Sequence, residues 1–210
     1  MDFKNFTNED FDVFQIDGLE ARMDALKERI RPKLESLGHY FAPALTTLTG
    51  DELFVHVAKH ARRSVNPPKD TWVAFANNPR GYKMLPHFQI GLWNTHVFIW
   101  FAVIYEAPQK QDFAKRFTKK INKIYKETPK DFVWSLDHTK TESVSHGSLS
   151  KGDLQGMFER LEQVKKAEIL CGYEIKRDDV LKLSEEEFLQ RVDNVFNKVA
   201  PLYKIALHIK

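Results

Sequence analysis

Cys171 is the one cysteine among 210 residues, so an internal disulfide is excluded and a reducing compartment is expected. Long apolar runs are also missing. The longest, Val97 to Ile104, is far short of the ~20 residues a membrane span requires. The opening MDFKNFTNED carries acids and no apolar h-region, so it does not read as a signal peptide. Charge of one sign is scarce: 32 Lys and Arg face 29 Asp and Glu, leaving +3. That balance implies no partner by itself. Gly81, Gly91 and Gly147 stand alone, so phosphate-loop and dinucleotide fingerprints are absent. A Gly-x-Ser-x-Gly elbow, a zinc-finger word, a helix-turn-helix word, repeats and low-complexity stretches are absent as well. These absences lead to a cytoplasmic protein with no membrane partner, no assigned cofactor and no motif-based metal site.

Apolar residues make up 42% of the chain, Phe alone 16 positions, enough for a sizeable core. No linker is visible, so one domain over 1–210 is expected. Its centre is HFQIGLWNTHVFIWFAVIYE, two strands joined by a turn at Asn94-Thr95. Phe88, Ile90 and Leu92 alternate with His87, Gln89, Gly91 and Trp93. The second strand is apolar on both faces, as a strand covered on both sides would be.

Thr7 with Asp10 and Asp17 with Glu20 are helix-start signals. Met23, Leu26, Ile30, Leu34 and Leu37 then form a helical stripe, interrupted at Pro32 and capped at Gly38. DELFVHVAKHARR fits either period. The strand reading, Leu53 to Arg62, is favoured because further strand-like runs follow. TWVAFAN is the next strand, and the turn residues Asn77 to Gly81 lead to the central hairpin. Pro108 opens a helix over 109–128 with Phe113, Phe117, Ile121 and Ile124 inward. DFVWSLD and AEILCGYEI are strands five and six, separated by a polar loop and a helix capped by Ser150 and Asp153. Cys171 alternates inward with Ile169 and Tyr173, a small core residue rather than a nucleophile. Ser184 with Glu187 starts a long last helix, with a kink expected at Pro201. The order of elements predicts an α+β fold with a mainly antiparallel sheet of about six strands, the last ones free to join in either direction. The Lys-rich helix and the last helix are expected to cover it.

VAKHARRSVNPPKDTWVAF, GYKMLPHFQIGLW, FVWSLDHTK, VKKAEILCG and the N-terminal FTNEDFDVFQIDGLEARM resemble the YktB-like family of Gram-positive bacteria along nearly the whole chain. The resemblance implies a cytoplasmic α+β domain. It carries over no catalytic residue, substrate or cofactor.

Several side chains could carry chemistry. His56, His60, Arg62 and Arg63 precede a Pro-rich turn. Arg80, Tyr82 and Lys83 follow the next strand, and His87, Gln89 and Trp93 share one face of the hairpin, with Tyr105 beyond it. Arg forks suit phosphate or carboxylate, and a few polar groups in an aromatic wall suit a small-molecule pocket. A small anionic ligand is therefore the leading partner. The bland alternative is a solvated sheet face paired with Asp51, Glu52 and Asp70. A metal on His56 and His60 is not expected: four strand positions separate them by about 13 Å, and the helix reading, in which they could share an ion, still lacks a third ligand. Lys115, Arg116, Lys119, Lys120 and Lys123 form a basic stripe that offers nucleic acid as the alternative partner. Asp137, His138, His146 and Ser145 or Ser148 offer a weak hydrolase reading, because a triad is known by geometry, not by proximity in sequence. A structural or partner-binding protein without a ligand is the third possibility.

Overall fold

The structure is a computed structural model and describes residues 3–207. A short helix α1 (Asn8–Asp12) leads to α2 (Leu19–Ala25), a π-helical turn (Leu26–Ile30) and α3 (Arg31–Thr49). Strands β1 (Phe54–Val57), β2 (Asp70–Ala76), β3 (His87–Trp93) and β4 (His96–Val103) follow, then α4 (Lys110–Lys119) and α5 (Ile121–Glu127). β5 (Val133–Ser135), β6 (Val144–Ser145), α6 (Lys151–Gln163), β7 (Ile169–Lys176), α7 (Arg177–Val180) and α8 (Glu185–Leu207) complete the chain.

The strands form one seven-stranded sheet in the order β1-β2-β3-β4-β7-β5-β6, and every pairing is antiparallel. The α+β class and the two-residue turn at Asn94-Thr95 are as expected. The seventh strand is the two-residue β6, inside the stretch expected to be all loop. Its side chains are exposed, so no alternating burial marked it in the sequence.

Partner residues in an antiparallel ladder point the same way, so the register sorts the side chains into two faces. Val73, Phe75, Phe88, Ile90, Leu92, Val97, Ile99, Phe101, Ile169 and Cys171 face the helices and join their buried stripes in the main core. Phe41 of α3, Phe117 of α4, Phe158 of α6 and Phe196 of α8 fill that layer. The opposite face carries a separate cluster of Trp72, Trp93, Phe98, Trp100, Ala102 and Leu170. Helices therefore cover β4 on one side only. On the other side aromatic side chains and connecting loops keep it dry.

Other boundaries depart from the expectations. Gly38 is no C-cap: it lies inside α3, where a Cβ would stand 2.5 Å from Val55 Cγ1, so its missing side chain lets the helix approach β1. The cap is Gly50, in the left-handed region at φ 86°. Pro32 follows directly on the π turn, so the interruption expected there is a local change of helical hydrogen bonding within a continuous helix, and the helix runs on through Pro43. The helix after Asp17 takes Gly18 as its N-cap. β1 ends at Val57 rather than Arg62. The expected helix 109–128 starts two residues after Pro108 and divides at Lys120 into α4 and α5. Ser150 with Asp153 and Ser184 with Glu187 do form capping boxes.

Gly172 marks the tightest point of the sheet: a Cβ there would lie 1.9 Å from the Ile99 carbonyl oxygen. Gly172→Ala is expected to lower stability by about 3 kcal/mol in urea unfolding. Gly156→Ala, on the exposed side of α6 with nothing within 4 Å, should raise it by about 1 kcal/mol.

Candidate functional site

The residues singled out from the sequence separate into two places. His56, Tyr82, His87, Gln89 and Trp93 lie with Trp72 on the face away from the helices. His60 and Arg63 line a recess at the rim of the sheet. Arg62 and Arg80 are exposed and join neither group by a side-chain hydrogen bond among the described residues.

On the open face the polar groups satisfy one another. Trp72 Nε1 donates to Tyr82 Oη at 2.8 Å. His87 Nδ1 donates to the Leu85 carbonyl at 2.7 Å, which leaves Nε2 to accept from Gln89 Nε2 at 2.9 Å. Full burial holds the His87 pKa down to about 4, so the ring stays neutral and both of its nitrogens are engaged. The Tyr82 ring packs between His56 and His87, at 5.1 and 5.2 Å. Lys83 folds back over Trp72 at 5.9 Å and pairs with Glu106. Beside Trp93 and Trp100 a crevice of about 10 Å³ remains, room for roughly one water. The expected pocket on this face is therefore filled by its own side chains. Asp70 shares the face, and burial raises its carboxyl to about 6 against the pull of His138 and Arg63.

The rim is different. A recess of about 480 Å³ opens between α2 with its π turn and the β1–β2 connection. Lys27, Arg31, Lys59 and Arg63 line it, against Glu20 and Asp24. Asp24 is already paired with Lys27 at 3.0 Å. His60 sits at the junction of the two places. Its Nε2 meets Thr71 Oγ1 at 3.2 Å, and its ring stands edge-on to Trp72 at 5.5 Å. Burial, reinforced by Arg63, Arg31 and Lys83, lowers its pKa to about 4. Among the described residues His60 is the only non-glycine with positive φ, at 50°. It turns the chain where the ladder ends, and Arg63 N closes the turn on the His60 carbonyl at 3.0 Å. Arg22 fixes the recess from beneath, donating to Ile16 O on its own side and to Pro68 O in the connection, both at 2.9 Å.

Most of the remaining candidates are committed elsewhere. Arg116 donates to the Ala206 carbonyl, while Lys115 and Lys123 pair with Glu162 and Glu127. Lys119 and Lys120 are exposed at the break between α4 and α5. No triad forms in the 137–148 stretch. His146 is buried, accepts from Trp134 Nε1 at 3.0 Å and donates to Tyr125 O at 3.0 Å. Ser145 and Ser148 donate to backbone carbonyls, and His138 turns to Glu168 instead. Lys27 and Arg31, one turn apart on the helix, carry no signal that distinguishes them from a solvated helix face, and Lys59 meets them from a segment distant in sequence.

Over residues 6–203 the chain matches the family model "Domain of unknown function (DUF1054)". The chain belongs to this family. Curated relatives in the family include a UPF0637 protein of Bacillus licheniformis, 58% identical over 200 residues covering 95% of each chain. One of Bacillus velezensis is 55% identical over the same extent. One of Bacillus cereus is 52% identical over 205 residues, 98% of this chain and 99% of its own. Recess and open face both fall within the stretch that defines the family.

Acid should weaken the fold through this region. His60, His87 and His96 all have folded pKa values near 4, below the ordinary 6.5. The unfolded chain therefore binds more protons, and their contribution is lost as pH falls from 6.5 toward 4. Asp70 opposes this, because its raised pKa favours the folded state below about 6. Near pH 5 the balance is an uptake of about two protons on unfolding. Urea unfolding is expected to show stability falling from pH 6.5 to 4.5, with a shallower fall in His87→Asn. A flat or rising profile in the parent protein would contradict this.

Proposed function

We propose that this protein binds a small anionic ligand, bearing phosphate or carboxylate, in the rim recess. Four cationic side chains against two carboxylates around one 480 Å³ opening carry the reading. Arg31 and Arg63 supply planar forks for a bidentate oxyanion contact, Lys59 supplies a point charge, and Lys27 a second one once it exchanges Asp24 for the ligand. His60, neutral and backed by Trp72, offers a polar contact inside the same wall. The π turn and the positive φ of His60 support it further, since both are costly local conformations that cluster at functional sites. The open-face network supports the recess from behind by holding Trp72 and Lys83 in place. A cytoplasmic setting accords with the free, fully buried Cys171. Absence of a membrane-crossing helix among the described residues accords with it as well.

Nucleic acid fits less well, because Lys115, Arg116 and Lys123 already have intramolecular partners. Calorimetric titration with inorganic phosphate and pyrophosphate is the direct test, with duplex DNA and single-stranded RNA as competitors. Pyrophosphate is expected to bind more tightly than phosphate. Arg31→Ala and Arg63→Ala should each weaken it about ten-fold, the cost of losing one charge-assisted contact. Unchanged affinity in both variants, or binding of nucleic acid alone, would sink the reading.

A further inference from the structure

Away from the recess, on the far side of the open face, the β5–β7 pairing brings together three donors that the anion reading does not use. β5 ends at Ser135, so Asp137 and His138 start the loop that follows it, and Glu168 lies one residue before β7. Trp134 pairs with Cys171 and Ser135 with Leu170, which places the loop directly over Glu168. One carboxylate oxygen of Asp137, one ring nitrogen of His138 and one oxygen of Glu168 all lie within 4.8 Å of one another. Among the described residues it is the one such group of three. Glu168 is buried, while Asp137 is half-exposed and leaves an approach from solvent.

We propose that Asp137, His138 and Glu168 form a binding site for a divalent transition-metal ion, with a water completing the coordination. The donor set of one imidazole and two carboxylates suits zinc and its neighbours rather than calcium or magnesium, which prefer oxygen alone. At present the His138 Nδ1 proton lies between Nδ1 and both Glu168 oxygens, at 2.9 and 2.8 Å. A metal would take that proton's place: the ring goes over to its Nε2–H tautomer, the proton exchanging through solvent, and the freed Nδ1 lone pair binds the ion while the imidazole stays neutral. The ion's two positive charges are then balanced by the two carboxylates. Bonds of about 2.0–2.2 Å place ligand atoms roughly 3.3 Å apart, so Asp137 must swing in by an ångström or so. To do so its carboxylate exchanges the Lys140 contact, 3.5 Å, and the Thr139 hydrogen bonds for the ion. Backbone N–H groups of His138 and Tyr105 hold Glu168 from the other side, at 2.9 and 3.3 Å. Such outer contacts orient a ligating carboxylate.

The test is titration of the full chain with Zn²⁺ by calorimetry, with Co²⁺ absorption as a report on coordination. One ion per chain is expected to bind in the micromolar range. His138→Gln and Asp137→Asn should each weaken it about ten-fold or more and abolish the Co²⁺ bands. Asp137→Asn, at a half-exposed position, keeps the test decisive if His138→Gln fails to fold. No saturable binding tighter than on the order of 100 µM, or equal binding by Asp137→Asn, would overturn the proposal. Pyrophosphate binding in the Asp137→Asn protein is expected to be unaltered, so this result and that for the recess stand apart.

Discussion

The turn at Asn94–Thr95 holds β3 against β4 in one register, and the rest of the sheet inherits it. Gln89 opposite Trp100, and Gly91 opposite Phe98, set which side chains meet the helices. A slip of one residue would carry Phe88, Ile90 and Leu92 out of the helical layer and bring His87 and Gln89 into it. β2 and β7 pair on either side of this hairpin, so their own alternation must match it. Gly172 allows the match on the β7 side, where a side chain would strike the Ile99 carbonyl.

Two consequences follow for the surface. Helices take one face, so the aromatic residues of the other must cover themselves. They do so by stacking and by spending their polar groups inward: Trp72 on Tyr82, Gln89 on His87. A face satisfied in this way has little room for a ligand, and its imidazoles are held neutral by desolvation. The charged groups are pushed to the rim. There the chain leaves β1 early, turns through His60 and passes beneath the start of the long helix. Like charges gather at that crossing, and Arg22 holds its two sides together.

Much of the architecture was legible in the residues. The period-two alternation of 87–93, the double-sided apolar run after it and the capping pairs at Ser150 and Ser184 each mark a local preference that the tertiary structure keeps. The alternation that turns Cys171 inward with Ile169 and Tyr173 holds in the main core. Local signals failed where packing overrode them. Gly38 looked like a helix end because glycine usually is one, yet Val55 requires its missing side chain. β6 has exposed residues only and exists because β5 offers it an edge. The alternation that marks β1 continues to His60, although the ladder closes at Val57.

Period, capping and composition were thus settled along the chain, since each depends on neighbours a few residues apart. The convergence of charges was not. Lys27 and Arg31 on the helix, and Lys59 and Arg63 on the connection, become one recess only when the helix packs over β1. The same holds for Glu168 beneath His138, thirty residues apart in sequence and 2.8 Å apart in space. Distances of that kind depend on how layers stack and strands pair, and no local pattern of residues encodes them.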